Sequence, residues 1–147
     1  MATASKDCTL KLWEIPPDGL TSNLSIPAQD MQGHSKAVGL LGWHPTADHT
    51  LASASNDGMV KVWDVSTGSD ASTVDVGSQP YSLKWAHNGG LLAAATRERK
   101  LVVVDPRQPG AAQVGAGHGG PKPQRACWVG DSGGELLSVG ASEFNER

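Results

Sequence analysis

The sequence predicts an all-β fold of short strands in repeated units, and three observations carry that expectation. Tryptophans recur in two registers, a strand-like segment recurs along the chain, and 18 glycines and 9 prolines among 147 residues supply the turns that many short elements need. The 38% apolar content contains no run long enough to span a bilayer as a helix, and no basic-then-apolar leader opens the chain. A helical bundle or coiled coil is excluded by the same turn-rich composition.

The first element is Ala2-Thr-Ala-Ser-Lys-Asp7-Cys-Thr-Leu-Lys-Leu-Trp13-Glu14. Its pattern returns in Leu51-Ala-Ser-Ala-Ser-Asn-Asp57-Gly-Met-Val-Lys-Val-Trp63-Asp64, where again an acid precedes a tryptophan by six residues. A weaker copy, Leu92-Ala-Ala-Ala-Thr-Arg-Glu98-Arg-Lys-Leu-Val-Val-Val104-Asp105, has valine in the tryptophan position. The second register is Trp43, Trp85 and Trp128, each at the end of a short apolar run, at steps of 42 and 43 residues. Turn clusters at 55–58, 66–69 and 87–90 separate these runs. Strands are expected at 36–43, 50–55, 59–65 and 72–77, and in the next unit at 80–86, 91–96, 100–105 and 111–114. Four strands in 40 to 45 residues, opened by Gly33-His34 and closed by Trp63-Asp64, form the signature of a WD-repeat β-propeller blade. The expected units are a blade remnant at 1–32, a blade at 33–77, a degenerate blade at 78–116 and an incomplete blade at 117–147.

His34, Ser53, Asp57 and Trp63 admit two readings: a Ser-His-Asp hydrolase, or a hydrogen-bond relay inside a blade from the indole N–H through Ser53 and His34 to Asp57. The relay is preferred, because buried polar groups need partners and no motif supplies an exposed nucleophile with an oxyanion hole. Thr3, Asp7 and Trp13 repeat the spacing, and catalytic triads are not duplicated along a chain in this way. In the third unit Ala94, Glu98 and Val104 replace the relay, and Ser78-Gln79-Pro80 stands in place of Gly-His, so apolar packing must hold that blade. Gly115-Ala-Gly117-His-Gly119-Gly120 mimics a dinucleotide fingerprint but runs into Pro121, where that motif requires a helix. A second Gly-His loop is the simpler reading. The five histidines lack metal-ligand spacing, so no metal or other cofactor is expected. Cys8 and Cys127 are expected to be free thiols, buried or half-buried. With 12 Lys+Arg against 15 Asp+Glu, the chain lacks the basic excess of a nucleic-acid-binding domain.

Trp13-Glu-Ile-Pro16-Pro17-Asp-Gly19-Leu, Gln32-Gly33-His34-Ser-Lys36-Ala-Val-Gly39 and Trp43-His44-Pro45-Thr46-Ala47 resemble the blade junctions of the coronins, actin-associated WD-repeat proteins. Ser138-Val-Gly140-Ala-Ser142-Glu-Phe-Asn-Glu146-Arg147 resembles a coronin turn, and 119–128 is closer to the long, tandem-propeller coronins than to the short ones. The resemblance implies a seven-bladed propeller, of which this chain would form about three blades as a partial propeller, with open strand edges at both ends. It implies a non-enzymatic module that binds actin filaments and other proteins, regulates the cytoskeleton or vesicle traffic, and resides in the cytoplasm on the cytoskeleton or, for the long type, on Golgi or vesicle membranes without spanning them. The rim carrying the Gly-His loops and the Asp57 turn gathers Lys6, Lys36, Arg97, Arg99 and Lys100 as a candidate partner-binding patch. A generic WD-repeat adaptor is the alternative, since fold does not fix function; an enzyme would need converging carboxylates or metal ligands that the sequence does not supply.

Overall fold

The computed structural model describes residues 1–20, 22–108, 110, 112–130 and 134–140, and these are strand, turn and loop with no helix among them. Four antiparallel sheets follow one another along the chain. The first holds β1 (Ala2–Ala4), β2 (Thr9–Leu12) and β3 (Gln29–Gln32) in that order. The second is complete, with β4 (Val38–Trp43), β5 (Thr50–Ser55), β6 (Met59–Asp64) and β7 (Ser69–Asp75). The third repeats it with β8 (Pro80–Trp85), β9 (Leu92–Thr96), β10 (Lys100–Val104) and β11 (Gln113–Ala116). The fourth contains β12 (Arg125–Val129) and β13 (Glu135–Val139). The chain thus covers part of a β-propeller.

The sheets stack face to face, and the residue types follow from that packing. Strands β5 and β9 are covered on both faces, so Leu51-Ala-Ser-Ala-Ser55 and Leu92-Ala-Ala-Ala-Thr96 are buried throughout and built from small residues that let neighbouring blades approach. Outer strands β7 and β11 are mostly exposed; β7 is largely polar, whereas β11 has Gln113 as its one polar residue and leaves Val114 exposed. Three apolar clusters fill the gaps: Leu10, Met31, Leu51 and Trp63 between the first and second sheets; Ala54, Val60, Leu83 and Val102 between the second and third; Ala86, Ala93 and Trp128 between the third and fourth. At about 25 cal/mol per Å² of apolar surface, these interfaces and not the isolated sheets dominate the stabilisation. The inner strands β4 and β8 start with the same register shift, which sets Gly39 and Tyr81 as the extra residues.

The expected strands are all present; β4 starts at Val38 rather than 36, β6, β8, β9 and β10 differ by one residue at one end, and β7 and β11 are displaced at both ends. β7 begins at Ser69 rather than 72 because the turn after β6 is tight: Gly68 donates its N–H to the Asp64 carbonyl at 2.8 Å, bringing Ser69 directly opposite Asp64. β11 runs from Gln113 to Ala116 rather than from 111 to 114, because Asp105 and Gln108 close a turn first and the pairing starts only at Val103↔Gln113. Residue 111 and the coronin-like segment 141–147 lie outside the described residues. Cys127 is exposed, contrary to the expected burial, because alternation along β12 turns Ala126 and Trp128 inward and Cys127 outward.

Candidate functional site: a polar relay beneath a basic rim

The polar relay of the complete blade starts from Asp57, in the β5–β6 turn. Its Oδ1 accepts the N–H of Met59 at 2.9 Å across the β5–β6 turn, while Oδ2 accepts the N–H of Ser35 at 3.0 Å and lies 3.0 Å from His34 Nδ1. Since a carboxylate only accepts, Nδ1 carries the proton. His34 Nε2 lies 2.7 Å from Ser53 Oγ, and Trp63 Nε1–H donates to the same Oγ at 2.8 Å. The neutral ring accepts from the Ser53 hydroxyl, whose oxygen in turn accepts the indole N–H, so each polar side-chain atom of the relay has a partner. Burial pushes the His34 pKa down against the opposing pull of Asp57. Burial also works to raise the Asp57 carboxyl, but the N–H groups of Met59 and Ser35 and the His34 ring outweigh it, and its pKa falls below the ordinary value. Gly33 has a direct role, since a Cβ there would stand 2.9 Å from the Trp63 ring.

In the first sheet, Trp13 Nε1 donates to Thr3 Oγ1 at 2.9 Å. Asp7 does not extend that contact: its Oδ1 accepts the hydroxyl and N–H of Thr9, and the Thr9 hydroxyl foremost holds its carboxyl below the usual range. In the third sheet Glu98 turns to Lys100 Nζ at 3.0 Å, and Ala94 and Val104 are buried in apolar surroundings. In the fourth, His118 Nε2 lies 3.1 Å from both Ser138 Oγ and the Ser138 carbonyl. Ser138, which opens the coronin-like turn, was not expected to pair with His118, although it follows that histidine by 20 residues where Ser53 follows His34 by 19.

The second tryptophan register joins blades. Trp85 Nε1 donates to the Gly42 carbonyl and Trp128 Nε1 to the Lys84 carbonyl, each at 3.0 Å and each on the inner strand of the preceding blade. Trp43 occupies the corresponding place on β4 and is 47% exposed, with no inner strand beside β1 among the described residues. His44 adds a further tie. Its Nδ1 accepts the N–H of Ala47 at 2.8 Å, which leaves Nε2–H to donate to the Gly89 carbonyl of the next blade at 3.0 Å, with the ring 4.6 Å from Trp85.

These equivalent bonds orient successive blades alike, so the turns after β1, β5 and β9 share one rim. Lys6, Lys36, Arg97, Arg99 and Lys100 are exposed there. The structure divides them. Arg97 and Arg99 line one recess with Lys122, which the sequence reading passed over, whereas Lys100 lines another beside Asp75 and pairs with Glu98. Among the described residues no group of three or more histidines, cysteines or carboxylates is placed to hold a metal ion, and no helix is long and apolar enough to cross a membrane. The loop after Gly115 passes through Pro121 and Pro123 without a helix, so the spaced glycines form no dinucleotide cradle.

Stacked antiparallel blades, one of them braced internally by the Trp63–Ser53–His34–Asp57 hydrogen-bond chain, define a WD-repeat propeller segment, and residues 25–64 match the WD40 family, described as WD domain, G-beta repeat. The likeness extends further than one repeat. Over its whole length the chain is 35% identical to coronin-2A of Homo sapiens, 36% to coronin-7 of Mus musculus and 32% to the coronin-like protein of Saccharomyces cerevisiae. The crystal structure of the WD40 domain from Toxoplasma gondii coronin superposes with a TM-score of 0.91 at 30% identity, over 97% of this chain and 37% of that one. The chain is a coronin homologue. It spans 29%, 16% and 24% of those three relatives, respectively.

Proposed function

We propose that the chain is a non-enzymatic interaction module that binds actin filaments and serves cytoskeletal organisation or vesicle traffic in the cytoplasm. The observation that carries this reading is the match of this whole chain to part of the coronins, in sequence and in fold. In this reading 1–32, 33–77, 78–116 and 117–147 are successive blades of one propeller. His34, Ser53, Asp57 and Trp63, with Thr3, Asp7 and Trp13, belong to the scaffold, and the partner meets the rim. The cations Lys6, Lys36, Arg97 and Arg99 give an acidic chain a locally positive face, suited to steering toward an acidic filament. Lys100 contributes less, because Glu98 already balances its charge.

Co-sedimentation of the purified chain with actin filaments tests the reading. The chain is expected to pellet with filaments at low salt, and Arg97→Glu with Arg99→Glu to weaken that binding about tenfold or more, with the loss shrinking as salt screens the contact. Absence of wild-type pelleting contradicts the proposal for this chain. Unchanged pelleting of the double variant removes the rim from the contact.

A further inference from the structure

We propose that the pocket between the second and third sheets binds a small planar molecule that carries a carboxamide. The pocket has a volume of about 420 Å³, a size suited to a drug-sized ligand. Its walls include Val62, Ala71 and Ser72 of the second sheet, Trp85 and Pro106 of the third, and His44 between them. The Trp85 and His44 rings, with centroids 4.6 Å apart, give it an aromatic wall. Thr50, the first residue of β5, also lines the pocket, whereas Asp57 follows the end of that strand. The pocket therefore opens on the side away from the cationic rim, and the assignment goes beyond the actin reading and is tested without actin.

Two equivalent blade junctions differ in one side chain, and that difference fixes the ligand chemistry. Leu12 opposes Gln29 in the first sheet as Val62 opposes Ser72 in the second, so Gln29 and Ser72 hold the same place on the outer strands of their blades. Gln29 crosses to the turn after β6: with its amide oriented to satisfy both contacts, the nitrogen donates to the Val65 carbonyl at 2.7 Å and the oxygen accepts the Gly68 N–H at 3.1 Å. The turn after β10 is built alike, since Asp64 accepts the N–H of Ser66 and Asp105 that of Arg107, and it carries Pro106 where the other carries Val65. Ser72 is too short to cross to it. Its side chain shares with Val62 the face that meets the third sheet, and its Oγ is buried there without a hydrogen-bond partner among the described residues. Buried hydroxyls are nearly always paired, so this one marks a place where a partner group belongs.

A carboxamide supplies the head group that glutamine supplies one junction earlier. Its oxygen accepts the Ser72 hydroxyl proton, and its N–H donates toward the Pro106 carbonyl, the counterpart of the Val65 carbonyl. A carboxylate brings no donor for that carbonyl. The planar ring attached to the amide fills the space against Trp85 and His44. The register shift between Val62 and Trp63 makes Ala71 the extra residue of β7, and its methyl group takes up little of the pocket.

The experiment is a nuclear magnetic resonance titration of the full chain with naphthalene carboxamide, read from the Trp85 indole N–H signal. Methyl naphthoate, which keeps the ring and carbonyl but lacks the N–H donor, and N-acetylglutaminamide, which keeps the amide but lacks the ring, are titrated beside it. The carboxamide is expected to shift the Trp85 signal saturably, to leave the Trp13 signal in place, and to bind at least about fivefold tighter than either analogue. Ser72→Ala removes the hydroxyl and keeps the pocket, so its affinity should fall about fivefold. Ser72→Gln rebuilds the first junction with its own amide; binding should fall at least about tenfold while the thermal midpoint matches or exceeds wild type, which separates a filled pocket from lost folding. Absence of a saturable shift, equal binding of the ester, tighter binding of N-acetylglutaminamide, unchanged affinity in either Ser72 variant, or a Ser72→Gln midpoint below wild type would each overturn the assignment.

Discussion

Ser53 Oγ accepts one proton and gives another within a site closed to water, and that makes the relay costly to break. His34→Ala leaves the Ser53 hydroxyl and the Asp57 carboxylate short of a partner, and Asp57→Ala also frees the N–H groups of Ser35 and Met59. Each is expected to lower stability by about 1–3 kcal/mol in urea titrations. Ser78→Ala, which removes only an exposed hydroxyl accepting the Glu98 N–H, should stay within about 0.5 kcal/mol. The pH dependence follows from the same geometry. His34 is held neutral when folded, so the unfolded chain binds more protons below the ordinary histidine value near 6.5, and stability falls as pH drops through that range. The lowered Asp57 contributes stability above the ordinary carboxyl value that is lost only as pH falls through its folded pKa. Urea midpoints should decline from pH 7 to pH 5 in wild type and much less in His34→Ala; equal declines would contradict a neutral buried His34. The relay was legible because its members keep a fixed spacing within one blade. Ser138 carries a similar spacing signal, one residue longer, whereas Lys122 carries none, since its place depends on how one blade meets the next.

At the scale of elements, the strands were read correctly where residue type and pairing agree, as in β5 and β9, whose small buried residues announce cover on both faces. They were misplaced at β7 and β11, where side-chain-to-backbone bonds by Asp64 and Asp105 set the turn and so the starting register. The second tryptophan register shows a similar divide: its period is plain in the sequence, but its purpose is visible only when Trp85 reaches across to Gly42. Trp85→Phe removes that donor across the blade junction, so a loss of about 1 kcal/mol is expected by urea denaturation. Trp43→Phe, on a half-exposed ring, should cost under about 0.5 kcal/mol. Comparable losses would show that the indole bond between blades contributes nothing.

For the molecule as a whole, blade-to-blade apolar clusters and indole bonds make the described sheets one cooperative body, which in turn holds the rim cations of separate blades in fixed relation. The most direct measurement is urea unfolding of the chain followed by tryptophan fluorescence and, in parallel, by far-ultraviolet circular dichroism, for wild type, His34→Ala and Trp85→Phe. The account predicts one coincident transition in both signals, with the two variants moving the midpoint down and leaving the slope unchanged. Separate transitions, or a shallow drift that neither variant shifts, would contradict it.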